Sequence, residues 1–183
     1  SYFVEALGVN TGFPFGLYRY TPILFPRLPG GVPLAVMFAW ILIVLGAYGW
    51  VARGKGRIGL SGALLGASLA MLLDFVIEPV AFHVVGYWQW LQAGAFNYYG
   101  VPFANFLAWF IVAFLLLLLV DRSFSRIHLR PERTPRLARL APKLLFAASL
   151  FMFALVDLTH GYPFAAAIAL ISTVLLILLR SRP

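Results

Sequence analysis

Apolar and polar positions segregate along this chain into long blocks. Five apolar blocks, at about 33–52, 58–80, 102–120, 143–160 and 163–179, each approach the ~20 residues a helix needs to cross ~30 Å of hydrocarbon. Apolar side chains surround such a segment on all sides, the pattern of a bilayer span and not of a helix resting on a soluble core. The predicted fold is all-α: a polytopic transmembrane helix bundle of about five spans, forming one integral membrane domain over 1–183. Pro33 stands at the first helical position of the first span. Residues 1–32 carry Gly8, Gly12, Pro14, Gly16, Pro22, Pro26, Pro29, Gly30 and Gly31, too many breaks for one continuous helix. Residues 81–100 concentrate Tyr87, Trp88, Trp90, Tyr98 and Tyr99, side chains that settle at headgroup level. Both stretches are predicted to be interfacial. Ser1-Tyr2-Phe3-Val4 reads as the end of an apolar segment, so a further helix upstream is expected. No basic region followed by an apolar core marks a cleaved signal peptide.

Composition sharpens this picture. Apolar residues make up 62% and charged residues 11% of the chain, against roughly 25% charged in soluble domains. Without cysteine there are no disulfides or thiolate metal sites. The net charge of +8 raises the question of nucleic acid. The basic residues, however, lie in connectors between apolar blocks, where topology explains them and no nucleic-acid partner is needed. All of the 14 Lys and Arg residues except Arg19 and Arg27 fall on one side if the first span runs outside to inside. The excess of positive charge then makes loops 53–57 and 121–143 and the C-terminus cytoplasmic, in a multi-pass protein of the cell (plasma) membrane. In the second span, Gly59, Gly62, Gly66 and Ser68 offer a face that a neighbouring helix can approach closely.

Candidate chemistry lies in the acids. Asp121 and Glu132 fall in the expected cytoplasmic loop and need no special role. Asp74 lies ~24 Å along the second span, Asp157 ~21 Å along the fourth and Asn105 ~22 Å from the cytoplasmic end of the third. These three therefore share a depth in the outer third of the membrane. An ionisable group there costs at least ~2.5 kcal/mol and should face the bundle interior. Asp74 and Glu78, four apart, share a helix face, and two like charges so close in low dielectric are expected to share a proton. Pro79 frees the carbonyl of Phe75 and should bend or end the helix beside Glu78. His83 follows closely, and Asp157 shares a face with His160. Structural readings stand beside these: an Arg or hydrogen-bond partner for each Asp, helix–helix contact for Asn105, wetted surface positions for the histidines, and a Glu5–Arg19 ion pair. No metal-ligand motif is present. A short echo links Thr11-Gly12-Phe13-Pro14-Phe15 with His160-Gly161-Tyr162-Pro163-Phe164, read as two similar turns on one membrane face.

The run Glu5-Ala6-Leu7-Gly8-Val9-Asn10-Thr11-Gly12-Phe13-Pro14-Phe15-Gly16, with Tyr18 and Tyr20, resembles the opening motif of the carotenoid biosynthesis membrane proteins. Gly31-Val32-Pro33, Asp74-Phe75-Val76-Ile77-Glu78-Pro79 and Tyr98-Tyr99-Gly100-Val101-Pro102 with Asn105 and Trp109 extend the resemblance from the start to about Trp109. It implies a carotenoid hydratase, a hydro-lyase that adds water across the terminal double bond of an acyclic carotenoid end. The implied partners are a carotenoid substrate and membrane lipid, with other carotenoid-pathway enzymes as candidates; no cofactor or metal is implied. Such chemistry needs a proton donor, stabilisation of a tertiary carbocation, and a group that orients and deprotonates water. Asp74 and Glu78 are the leading acid/base candidates and Asp157 the competing acid. Glu5, Asn10, His83, Asn105, His160, Trp88, Trp109 and Tyr99 are candidates for positioning substrate or water. Buried acids and a proline-bent helix also suit a proton-coupled carrier or a non-catalytic binding protein for a lipidic molecule. Unaltered bound molecule, or flux tied to a proton gradient, would mark those alternatives.

Overall fold

A computed structural model describes residues 1–52, 57–127 and 136–180. Most of the basic turn (Arg53 and Lys55), Arg130, Glu132 and Arg133 of the basic loop, and Arg182 lie outside the described residues. The fold is helical throughout its core. In chain order the elements are α1 (Tyr2–Thr11), β1 (Tyr18–Tyr20), α2 (Leu34–Val51), α3 (Gly59–Pro79), β2 (Trp88–Trp90), β3 (Asn97–Tyr98), β4 (Val101–Pro102), α4 (Phe103–Ile127), α5 (Arg136–Thr159) and α6 (Pro163–Arg180). Leu34–Val51, Gly59–Val84, Phe103–Phe124 and Leu140–Thr159 are long and apolar enough to cross a membrane; Pro163–Leu179 is a shorter apolar helix.

α3 packs against α2, α4 and α6 and is the hub of the bundle, while α5 packs mainly on α2 and α6. Small side chains on α3 (Ala63, Ala67 and Ala70) are fully buried and let its neighbours close in. Of the small positions in the second span, Gly66 is the one against a partner helix: a methyl there would lie 2.8 Å from a Leu117 methyl on α4. Gly62 faces its own Ile58, and Ser68 bonds back to the Leu64 carbonyl. α2 and α5 also approach closely, where a methyl on Gly46 would meet Phe146 Cβ at 2.6 Å. Facing outward, Leu107, Ile111, Leu115 and Leu119 form an exposed stripe four residues apart on α4. That is an apolar face suited to lipid.

Three local features differ from expectation. Residues 1–32 open with a true helix, α1, which Gly12 closes in the left-handed conformation at φ 79°. The later half of the echo also turns on such a glycine, Gly161 at φ 83°, but Pro163 there starts α6 whereas Pro14 leads towards a strand. α4 runs on to Ile127, so Asp121 is inside a helix and not in a loop. Buried to 3% exposure, its carboxylate accepts the Ile58 N–H at 2.8 Å, the Gly59 N–H at 3.4 Å and the Tyr48 hydroxyl at 3.2 Å, and it lies 3.9 Å from Arg57. It thus caps α3 from a neighbouring helix, meeting backbone donors that a helix start leaves unpaired.

Candidate functional site

The site is assembled by a strand pair that neither half announces on its own. Tyr18-Arg19-Tyr20 pairs antiparallel with Trp88-Gln89-Trp90, in the register Tyr18↔Trp90, Arg19↔Gln89, Tyr20↔Trp88. Strand side chains alternate faces, so four aromatic rings point one way and Arg19 and Gln89 the other. On the outer face Arg19 Nε donates to Gln89 Oε1 at 2.9 Å. The expected Glu5–Arg19 ion pair is therefore not formed. On the inner face the Tyr18 and Trp90 rings lie 5.2 Å apart, and the Tyr20 and Trp88 rings meet edge-on at 6.1 Å.

These rings present their polar tips to two buried carboxylates. Glu5, on α1 and 4% exposed, accepts the Tyr18 hydroxyl at 2.9 Å, the Tyr20 hydroxyl at 2.8 Å and the Trp40 indole N–H at 2.7 Å. Glu78, on α3 and 2% exposed, accepts the Trp88 and Trp90 indole N–H groups at 3.0 and 3.1 Å on Oε2. Its Oε1 accepts Asn105 Nδ2 at 3.0 Å, and the same amide nitrogen donates to Asp74 Oδ2 at 2.8 Å. Asn105, at the start of α4, thus spends both amide hydrogens bridging the two acids of α3. Burial and the Glu5 charge hold the Tyr18 and Tyr20 phenols well above the usual tyrosine range, so both remain hydrogen-bond donors.

The backbone beside Glu78 is unusual for a reason written in the sequence. Pro79 lacks an N–H, yet the helix does not end there: Val80–Val84 continues it as a wider turn, with the Val85 N–H on the Val80 carbonyl at 2.9 Å. Such widened turns re-aim side chains, and they are frequent at functional sites.

Between Glu5 and Glu78 lies a cavity of about 40 Å³, lined also by Tyr18, Tyr20, Trp88, Trp90, Asn105 and Trp109. That is room for roughly three water molecules. Trp109 stacks on Trp40 with ring centres 3.9 Å apart and planes 11° from parallel, so one indole borders the cavity and the other binds Glu5. Among the described residues no three His, Asp or Glu side chains converge to hold a metal ion.

The candidate residues divide into two groups. Glu5, Glu78, Asn105, Trp88 and Trp109 line the cavity, with Asp74 attached through Asn105. The others have different partners. Asn10 Nδ2 donates to the Ala6 carbonyl within α1 at 2.7 Å and to the Gly30 carbonyl, in the Pro29–Gly31 turn ahead of α2, at 3.2 Å. His83, exposed, bonds the Tyr99 carbonyl at 2.7 Å and stacks against Tyr162. Tyr99, at φ 50°, accepts the Phe164 N–H at 3.3 Å on its hydroxyl. His160, also exposed, bonds the Val156 carbonyl and Thr159 within its own turn. Asp157 is buried away from the cavity. Sequence reasoning did not assign Tyr18, Tyr20, Trp40 and Trp90 as carboxylate ligands. The signal available was the pair of aromatic–polar–aromatic triplets, whose period of two marks a strand with one aromatic face.

The family model described as carotenoid biosynthesis protein matches residues 1–176 of this chain. A curated relative, the bisanhydrobacterioruberin hydratase of Haloarcula japonica, is 35% identical over 133 residues, which is 71% of this chain and 44% of that protein. The match therefore spans less than half of the relative's length. No solved structure matches.

Proposed function

Because the chain belongs to the carotenoid biosynthesis protein family, we propose that it is a membrane-embedded hydratase that adds water to the terminal double bond of an acyclic carotenoid end. The observation that carries this reading is the small, aromatic-walled cavity with a carboxylate on each side, set in a bundle whose outward faces are apolar. The name of the archaeal relative gives the reaction class.

Glu78 acts as the acid. Its proton passes to the less substituted alkene carbon, the π electrons form the new C–H bond, and a tertiary cation is left on the neighbouring carbon. The two indole N–H groups and the Asn105 amide are fixed in advance on the carboxylate oxygens that this step leaves charged. Asp74, one turn away on the same amide, is the second holder of the proton. The faces of Trp88, Trp90 and Trp109 stabilise the cation by ~0.5–2 kcal/mol each. A water in the cavity attacks the cation, forming the C–O bond, and gives its extra proton to Glu5 across from it. One water is consumed, one C–H and one C–O bond replace the π bond, and a proton returns from Glu5 to Glu78 to reset the pair. Asp157 and the two histidines take no part in this sequence. The basic segments 53–57 and 121–143 and the C-terminus lie on the cytoplasmic side, by the distribution of Lys and Arg.

Turnover in D2O tests the reaction class. The hydratase reading expects one deuterium bound to the carbon beside the new alcohol, and oxygen that comes from water. Oxygen from O2, or an alcohol without that deuterium, would remove protonation-led hydration. Glu78→Gln and Glu5→Gln should both abolish the product while the protein stays folded.

A further inference from the structure

Asp157, near the end of α5, is fully buried. Neither of its carboxyl oxygens has a hydrogen-bond partner among the described residues, and the buried phenol oxygen of Tyr98 has none either. Neither residue lines the cavity between Glu5 and Glu78. Burial chiefly, then Tyr99 and the charge of Asp157, hold the Tyr98 phenol well above the usual tyrosine range.

The segments that carry the two groups are in contact. The Tyr99 ring meets Tyr162 edge-on at 5.1 Å, and the Tyr162 N–H donates to the Asp157 carbonyl at 2.8 Å. The Tyr98 ring is itself held edge-on by Phe75 at 5.1 Å and Phe106 at 5.7 Å. Buried polar groups are almost always hydrogen-bonded, and a buried carboxyl without partners weakens the fold that contains it. At membrane depth such a group is retained for what it binds or transfers.

We propose that Asp157 and Tyr98 form a second ligand site, separate from the Glu5–Glu78 cavity, that takes one neutral hydroxyl group, either water or the alcohol end of an isoprenoid chain. A hydroxyl suits both groups: it gives its hydrogen to one carboxyl oxygen and accepts the phenol's, and water, with a second hydrogen, can reach the other carboxyl oxygen as well. A carboxylate ligand would repel Asp157, and among the described residues no further acids or imidazoles gather there to hold a metal ion. The alcohol source rests on the hydratase reading, since that reaction makes such an end; the water source does not.

The test reads binding and no turnover, so its outcome stands whether or not pigment is hydrated. Thermal unfolding of the purified full chain is followed with tetrahydromyrcenol, a saturated branched tertiary alcohol, and with the alkane of the same skeleton. An alcohol-specific, concentration-dependent rise in Tm that disappears in Tyr98→Phe and Asp157→Asn identifies an alcohol site. A high-resolution map of the wild-type protein without additive needs no variant to fold. A single ordered density bonded to Asp157 and the Tyr98 hydroxyl in that map identifies water. No such density, together with an alcohol effect that is absent or survives in both variants, overturns the proposal.

Discussion

Replacing Asn105 with leucine tests how much of the site depends on one amide. Asn105 is 2% exposed, and leucine keeps its branched outline with bulkier methyl ends, so the change removes hydrogen bonds without opening a hole, at the cost of some overpacking. Two are lost, at 2.8 Å to Asp74 and 3.0 Å to Glu78. A hydrogen bond to a charged group contributes ~1.5–3 kcal/mol, so the pair sets an upper range of ~3–6 kcal/mol. The acids can relieve part of this by sharing a proton, which places the expected loss of stability near ~3 kcal/mol. For catalysis the relevant bond is the one on Glu78, one of three donors that hold its carboxylate after proton transfer. Losing ~1.4–2.7 kcal/mol of that stabilisation lowers turnover ~10–100-fold. Turnover per folded protein is read from extracted pigment and stability from thermal unfolding. Adding Asp74→Leu removes the second orphaned acceptor and should recover part of the lost stability, a coupling a double-mutant cycle measures. An Asn105→Leu protein with wild-type turnover and Tm would refute the bridge as a functional element.

Three further outcomes follow from named contacts. Tyr18, Tyr20 and Tyr98 keep their protons in the folded protein, whereas the unfolded chain loses them above pH ~10. Stability is therefore fully present below that pH and falls as pH rises past it, at ~1.4 kcal/mol per pH unit for each phenol. A Tm that stays flat from pH ~10 to ~12, with all phenols ionising in the folded state, would contradict it. Gly46→Ala forces a methyl to within 2.6 Å of Phe146 Cβ and 3.0 Å of the Pro142 carbonyl; thermal unfolding should show a loss of ~1–3 kcal/mol. His160→Asn, at an exposed residue bonded, among the described residues, within its own turn, should leave hydration within about twofold of wild type in the same pigment assay.

How much of this was legible in the chain depended on how local the signal was. The apolar blocks gave the helices, because a run such as 34–51 has no charged or amide side chain that would point elsewhere. The end of α4 was misplaced because Asp121 and Arg122 break the hydropathy without breaking the helix. The first residue there is buried and paired, which composition does not reveal. Asp74 and Glu78 were legible as a pair because four residues is one turn, and Asn105 was legible as a shared depth. That its amide bridges both acids required the packing of α4 on α3. Glu5 was the least legible. Its ligands come from α2 and β1, and β1 is held by Trp88–Trp90, some seventy positions away. A three-residue strand in a Gly- and Pro-rich stretch has no local signature apart from its alternation. That is weak evidence until a second such triplet is matched to it.

The central claim is that the cavity between Glu5 and Glu78 hydrates a carotenoid end. Expression of the protein alongside enzymes that make an acyclic-ended carotenoid, followed by mass spectrometry of the extracted pigment, tests it most directly. The account predicts a species heavier by one water with the wild-type protein and none with folded Glu78→Gln. Unchanged pigment with the wild-type protein present and folded in the membrane, or undiminished hydration by Glu78→Gln, would contradict it.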